Sequence, residues 1–163
     1  MTTSTSTKTK KIKQSWDIKE MQEAATKMVS HKIASRINFL EKHPGKEIEE
    51  MEKASAHLNA EKMKKCGLKT PLDLAKHLAE YEVNMFGAEA SVSGDDDHAV
   101  LTNEKSPVWL ETKKSNNLSK DQQATMQTHY SNWMEDLAQG LGFKAHVDIA
   151  KDGNTSQITF SRK

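Results

Sequence analysis

Apolar positions keep a helical period through the first half of the chain and alternate afterwards. From Trp16 onward, Met21, Ala25, Met28, Ile33, Ile37 and Leu40 recur at spacings of three to five with charged residues between them. That pattern predicts an amphipathic helix, stopped by His43-Pro44-Gly45. A second helix is expected from about Lys46 to Lys65, with Ile48, Met51, Ser55, Leu58 and Met63 on one stripe and Gly67 suited to a left-handed end. The two are expected to form a hairpin. Thr70-Pro71-Leu72-Asp73 starts a third helix, because the Thr70 hydroxyl can accept from an early amide, Pro71 suits the first turn and the Asp73 charge favours a helix amino end. It is expected to run to about Tyr81.

The period then changes. Phe86, Ala88, Ala90 and Val92 alternate with Met85, Gly87, Glu89 and Ser91, which predicts a half-buried strand. Gly94-Asp95-Asp96-Asp97 reads as the turn to a second strand over about 98–103, and Ser106-Pro107 precedes a loop or short extra strand at Val108-Trp109-Leu110. After a polar linker, Ser119-Lys120-Asp121-Gln122 matches a capping box heading a fourth, long helix with Met126, Tyr130, Trp133, Leu137 and Leu141 inward, closed by Gly140 or Gly142. Phe143, Ala145, Val147 and Ile149 then alternate as a third strand, Asp152-Gly153 turns, and a last strand buries Ile158 and Phe160.

This order predicts an α+β fold: amino-terminal helices, then a ββαββ unit in which one long helix crosses an antiparallel sheet of about four strands. Residues 1–13, rich in Ser, Thr and Lys, are expected to be a mobile tail. Residues 14–163 are expected to form one domain, helical over 14–82 and sheet-containing over 83–163.

Composition narrows the setting. The lone Cys66 has no partner for a disulfide within the chain, which points to a reducing, cytoplasmic environment. Lys and Arg (24) nearly cancel Asp and Glu (23), and no nucleic-acid reader motif is present, so there is no global field to recruit nucleic acid. Apolar runs are far too short for a bilayer-crossing helix. No phosphate-binding glycine loop, dinucleotide fingerprint or nucleophile elbow is legible, so the sequence names no cofactor.

A glycine-ended helix carrying His129-Tyr130 and Trp133, followed by the hairpin that opens Gly142-Phe143-Lys144-Ala145-His146-Val147 and preceded by the hairpin from Met85 to Asn103, resembles the L-2-amino-thiazoline-4-carboxylic acid hydrolase-like family. More distantly it resembles the vinyl-reductase-type small-molecule-binding domain. The resemblance spans about residues 36–162 and implies an α+β module, often dimeric, with a pocket between helices and sheet. Several members carry cysteines near that pocket; here there is none from Phe86 onward, so no catalytic residue is carried across.

The candidate chemistry follows from residue types. Tyr130, Trp133, Trp109 and His129 would line an apolar ligand pocket between the fourth helix and the sheet, although aromatic residues at such spacings are more often core. Glu89, His98 and His129 supply donors for a metal or for acid-base hydrolysis, were the fold to bring them together. His31, His43, His57 and His77 read as solvated helix residues, and His146, sharing a strand face with Lys144 and Asp148, reads as exposed. The leading functional expectation is therefore a small-molecule-binding module of hydrolase-like ancestry. A metal-assisted or acid-base hydrolase is one alternative. The other is a protein-interaction or assembly subunit, in which Met21, Met28, Met51 and Met63 give the first two helices an adaptable apolar surface. A homodimer is expected, with Ile33, Ile37 and Leu40 at or near its interface.

Overall fold

The computed structural model describes residues 16–43, 45–150 and 153–163. The expected polar tail over 1–13 lies outside these residues. Helices α1 (Ile18–Lys42), α2 (Lys46–Lys65) and α3 (Pro71–Phe86) precede strands β1 (Glu89–Gly94) and β2 (His98–Lys105). Helices α4 (Pro107–Asn116) and α5 (Lys120–Leu141) follow, then β3 (Phe143–Ile149) and β4 (Ser156–Arg162). The fold is α+β, with helices leading into a four-stranded antiparallel sheet of order β1-β2-β4-β3.

Capping sets the helix starts. Asp17 with Glu20, Thr70 with Asp73 and Ser119 with Gln122 form reciprocal capping boxes on α1, α3 and α5, an effect of about 1 kcal/mol each. The Asp73 carboxylate also accepts the Lys69 amide at 3.0 Å, and that bond holds it below the ordinary carboxyl range. Two elements depart from the sequence reading. Ser106-Pro107 is a helix start, with Ser106 accepting from the Trp109 amide, so Val108-Trp109-Leu110 belongs to α4 and the unit is ββααββ. Helix α3 runs on to Phe86 and ends in the left-handed Gly87 (φ 66°), so the alternation at Phe86 and Ala88 is a helix end, and β1 begins only at Glu89.

The strand register gathers one apolar face. Leu101 pairs with Ile158 and Val92, and Phe160 pairs with Ala99 and Ala145, so all of these side chains point the same way. Helix α3 covers β1 and β2, and α5 covers β3 with Leu137, Ala138 and Leu141 buried. The opposite face carries Thr102, Gln157 and Asp148 in one row and Val100, Thr159 and His146 in the next, a mostly polar surface that includes the exposed His146.

The helical layer overturns two expectations. First, α1 and α2 do not pair as a hairpin: α2 lies along α5, whereas α1 lies across α4 and α3. Second, the buried side of α2 is Glu52, Ala56 and Ala60, not the predicted stripe, whose Met51, Ser55 and Leu58 are exposed. Small size decides the matter. Ala56 and Ala60 let α2 approach α5 so closely that a methyl group added at Gly140 would lie 2.7 Å from the Ala60 Cβ and 3.3 Å from the His57 ring. Gly140 therefore sits inside α5 as a contact point, and Gly142 (φ 89°) ends the helix.

Alanine is the better helix former by about 1 kcal/mol, yet Gly140→Ala is expected to destabilise the fold by about 1–3 kcal/mol through overpacking against Ala60. Urea unfolding checks this: a midpoint equal to or above the wild type would show that α2 can move off α5 without cost.

Candidate functional site

Helix α2 is committed to α5 and α1 stands off from it, and beneath α1 a cavity of about 400 Å³ opens toward α3, α4, α5 and the sheet. Its α1 wall is Val29, Ile33, Ile37 and Leu40, and α5 contributes Met126, Tyr130 and Trp133. Phe86 and Trp109 line it from α3 and α4, and Asn103 and Ser156 from the sheet. The predicted ligand-binding residues Tyr130, Trp133, Trp109 and His129 thus converge on one space. That space lies beneath α1, whereas the contact of α5 with the sheet, where the pocket was expected, is filled by Leu137, Ala138 and Leu141. Ile37 is only 2% exposed, and Ile33 and Leu40 face the cavity, so these three serve the interior of the chain rather than a dimer interface.

Charged groups crowd one wall. The buried Glu52 carboxylate of α2 takes a hydrogen bond from the Arg36 guanidinium of α1 on one oxygen, and its other oxygen lies 2.8 Å from His129 Nδ1 of α5. A carboxylate paired with an imidazole can pass protons, but here its second oxygen is held by Arg36. The arrangement ties three helices together at the point where α1 diverges. Residues Arg36 and Glu52 were not singled out from the sequence; the signal available was the spacing Glu52, Ala56, Ala60, which puts the carboxylate on the side of α2 that packs. Elsewhere on the wall, burial raises the Glu82 carboxyl above its ordinary range, and burial together with the charge of Glu82 raises the Tyr130 phenol. Asn103 donates to Ser156 Oγ at 3.3 Å, while Asn103 Oδ1 and Trp109 Nε1 are buried without a partner among the described residues.

The other predicted donors lie apart. Glu89 is exposed on β1 and pairs with Lys105 at 3.2 Å. His98 is exposed at the start of β2, where its amide donates to the Asp95 carboxylate in the turn. Neither meets His129. Among the described residues no group of three or more His, Cys, Asp or Glu side chains is arranged to hold a metal ion. Cys66 is exposed at the end of α2, outside the cavity.

The outer sides of the helices form the second notable surface. Met28 (55% exposed) and Phe39 (53%) on α1, and Met51 (60%) and Leu58 (59%) on α2, present large apolar side chains to solvent, and Tyr81, Val83 and Met85 do the same at the end of α3. The methionines expected to form an apolar surface divide accordingly: Met21, Met28 and Met51 are exposed, and Met63 packs against the core. No described helix is long and apolar enough to cross a membrane.

No protein-family model matches the chain, and no curated protein matches it. Among solved structures, it is similar to a trafficking protein particle complex subunit 3 from Naegleria fowleri, crystallised covalently bound to palmitic acid. The TM-score is 0.56 at 14% identity, over 86% of this chain and 96% of that one. The shared feature is the fold. It corrects the leading functional expectation, a small-molecule-binding module of hydrolase-like ancestry: the solved structure that shares this architecture is a subunit of a trafficking complex.

Two measurements test the cavity wall. Arg36→Ala leaves Glu52 buried beside His129 alone, and is expected to cost on the order of 1–3 kcal/mol in urea unfolding, less than for a fully buried pair because Arg36 is half exposed; a loss below about 0.5 kcal/mol would show that the carboxylate does not depend on it. For Glu82, a raised carboxyl pKa means that ionisation opposes folding: the penalty is absent below the ordinary value of 4.5 and fully present above the folded value. Glu82→Gln should therefore melt higher than the wild type at pH 7, with the difference closing as the pH falls toward 4.5. A pH-independent difference would assign the effect to packing instead.

Proposed function

We propose that this chain is a protein-interaction subunit of a larger assembly, working in the cytoplasm. The observation that carries the reading is the distribution of uncovered apolar surface. Met28 and Phe39 on α1, Met51 and Leu58 on α2, and the end of α3 expose large side chains on the helical side, while the outer face of the sheet is mostly polar. A domain of this size has enough interior to hide its larger apolar groups, and large side chains left in water on neighbouring helices are the usual mark of a protein-binding surface. Methionine suits such a surface because its flexible, polarizable side chain packs against irregular partners. The fold of a trafficking complex subunit supports the same reading, since that protein works as one component among several. An exposed, unpaired cysteine is compatible with a reducing cytoplasm.

In this reading α2 is a principal contact. Its inner side is locked onto α5 by Ala56 and Ala60, so its outer side is presented on a rigid support and a partner need not order it on binding. The test is the native size of the full-length chain in extracts of its host cells. The wild type is expected to elute well above the mass of a dimer, and Leu58→Glu, which changes an exposed side chain and should leave the fold intact, is expected to elute free of the complex. A wild-type chain that elutes at the mass of a monomer or dimer, or a Leu58→Glu chain that remains in the complex, would count against α2 as the contact.

A further inference from the structure

The cavity beneath α1 has one acidic group on its wall that none of the described residues offsets. The acidic and basic side chains lining it, among those residues, are Arg36, Glu52, Glu82 and His129. Arg36 and Glu52 answer one another, and His129 meets the same Glu52 carboxylate. Glu82 of α3 has no side-chain hydrogen bond or ion pair among the described residues, and burial alone pushes its carboxyl above the ordinary range. A shifted acid facing a cavity marks a place where a group from outside the chain can supply the missing charge. The rest of that wall is aromatic. Phe86 follows Glu82 by one helical turn, Tyr130 and Trp133 are neighbours on α5, and Trp109 comes from α4. Tyr81, half exposed, stands edge-on to Phe86 at 5.7 Å between ring centroids. Aromatic faces carry partial negative charge and attract cations. One of these rings already does so within the chain, since the Lys113 ammonium lies 5.4 Å from the Trp109 centroid.

We infer that this cavity takes a small organic cation, an ammonium bearing an apolar group, with the ammonium at Glu82 and the apolar part among the rings of Phe86, Tyr130 and Trp133. A volume of about 400 Å³ suits a small molecule of this kind. The charge of the wall selects among ligands. A carboxylic acid would set like charge against Glu82, and a neutral molecule would leave Glu82 unpaired, whereas an ammonium ends the cost of burying that carboxylate alone. Arg36 does not cancel the attraction, because its own charge is taken up by Glu52. The inference goes beyond the reading of the chain as an assembly subunit and is independent of it. A ligand beneath α1 leaves the exposed side of α2 uncovered, so the native-complex test and the binding test can fail separately.

Calorimetric titration of the purified full-length chain at pH 7 tests this with three probes of one skeleton and different charge: phenylpropylamine, phenylpropanol and phenylpropanoate. The amine should bind with a sub-millimolar Kd, and the alcohol and the acid at least about 10-fold more weakly. Glu82→Gln removes a buried charge and so keeps the fold. That variant should bind the amine at least about 10-fold more weakly than the wild type does, with its affinity for the alcohol unchanged. Lowering the pH from 7 toward 4.5 should weaken amine binding to the wild type as Glu82 takes up its proton. The weakening should be smaller in Glu82→Gln, where Glu52 and His129 are the acidic and imidazole groups left on the described wall. An alcohol or acid that binds as tightly as the amine, a Glu82→Gln chain with wild-type affinity for the amine, or no amine binding up to about 10 mM would each overturn the proposal.

Discussion

The close approach of α2 to α5 sets the rest of the helical layer. Ala60 and His57 against Gly140 bring the two helices into close contact, and a contact that tight leaves no room for a third helix between them. Helix α1 has to find its support elsewhere, on α4 and α3, and the Glu52 carboxylate bridges the gap this leaves by holding Arg36 of α1 and His129 of α5. The cavity, the ion-pair lock and the outward-facing apolar residues of α1 and α2 all follow from that one choice of packing partner.

The strands and helix starts were legible because their signals are local. The alternations Phe143 to Ile149 and Ser156 to Phe160 fix which side chains meet the core whatever the rest of the chain does, and the capping residues at Thr70 and Ser119 act within a single turn. The phase of α2 was not legible. Hydropathy weights Met51 and Leu58 heavily and Ala56 and Ala60 lightly, yet contact between helices is governed by how near the axes can come, and there the small residues win. The same bias hid Thr26, Ser30 and Ala34 as the inward side of α1 and put Met21 and Met28 in their place.

The candidate site was legible in part for a related reason. The aromatic residues Tyr130, Trp133 and Trp109 do gather, because large side chains on α5 and α4 must fill the space beneath α1, but nothing in their spacing tells that the enclosing wall is α1 and not the sheet. Glu52 was invisible as a site residue, since one glutamate among several in a helix rich in lysine and glutamate reads as solvated until its partners on two other helices are known. Glu89 and His98 share a hairpin, but they sit on its exposed side, one held by Lys105 and the other in the turn at Asp95.

The two edges of the sheet bear on how such a chain can grow into an assembly. Strand β1 is short, rich in serine and irregular at Glu89, and β3 sets Lys144, His146 and Asp148 along its solvent side. Short, bulged or charged edges resist the addition of further strands. Open-ended polymerisation through the sheet is thereby discouraged, and association is left to the helices, whose side chains select a geometry and whose contacts can close after a fixed number of subunits.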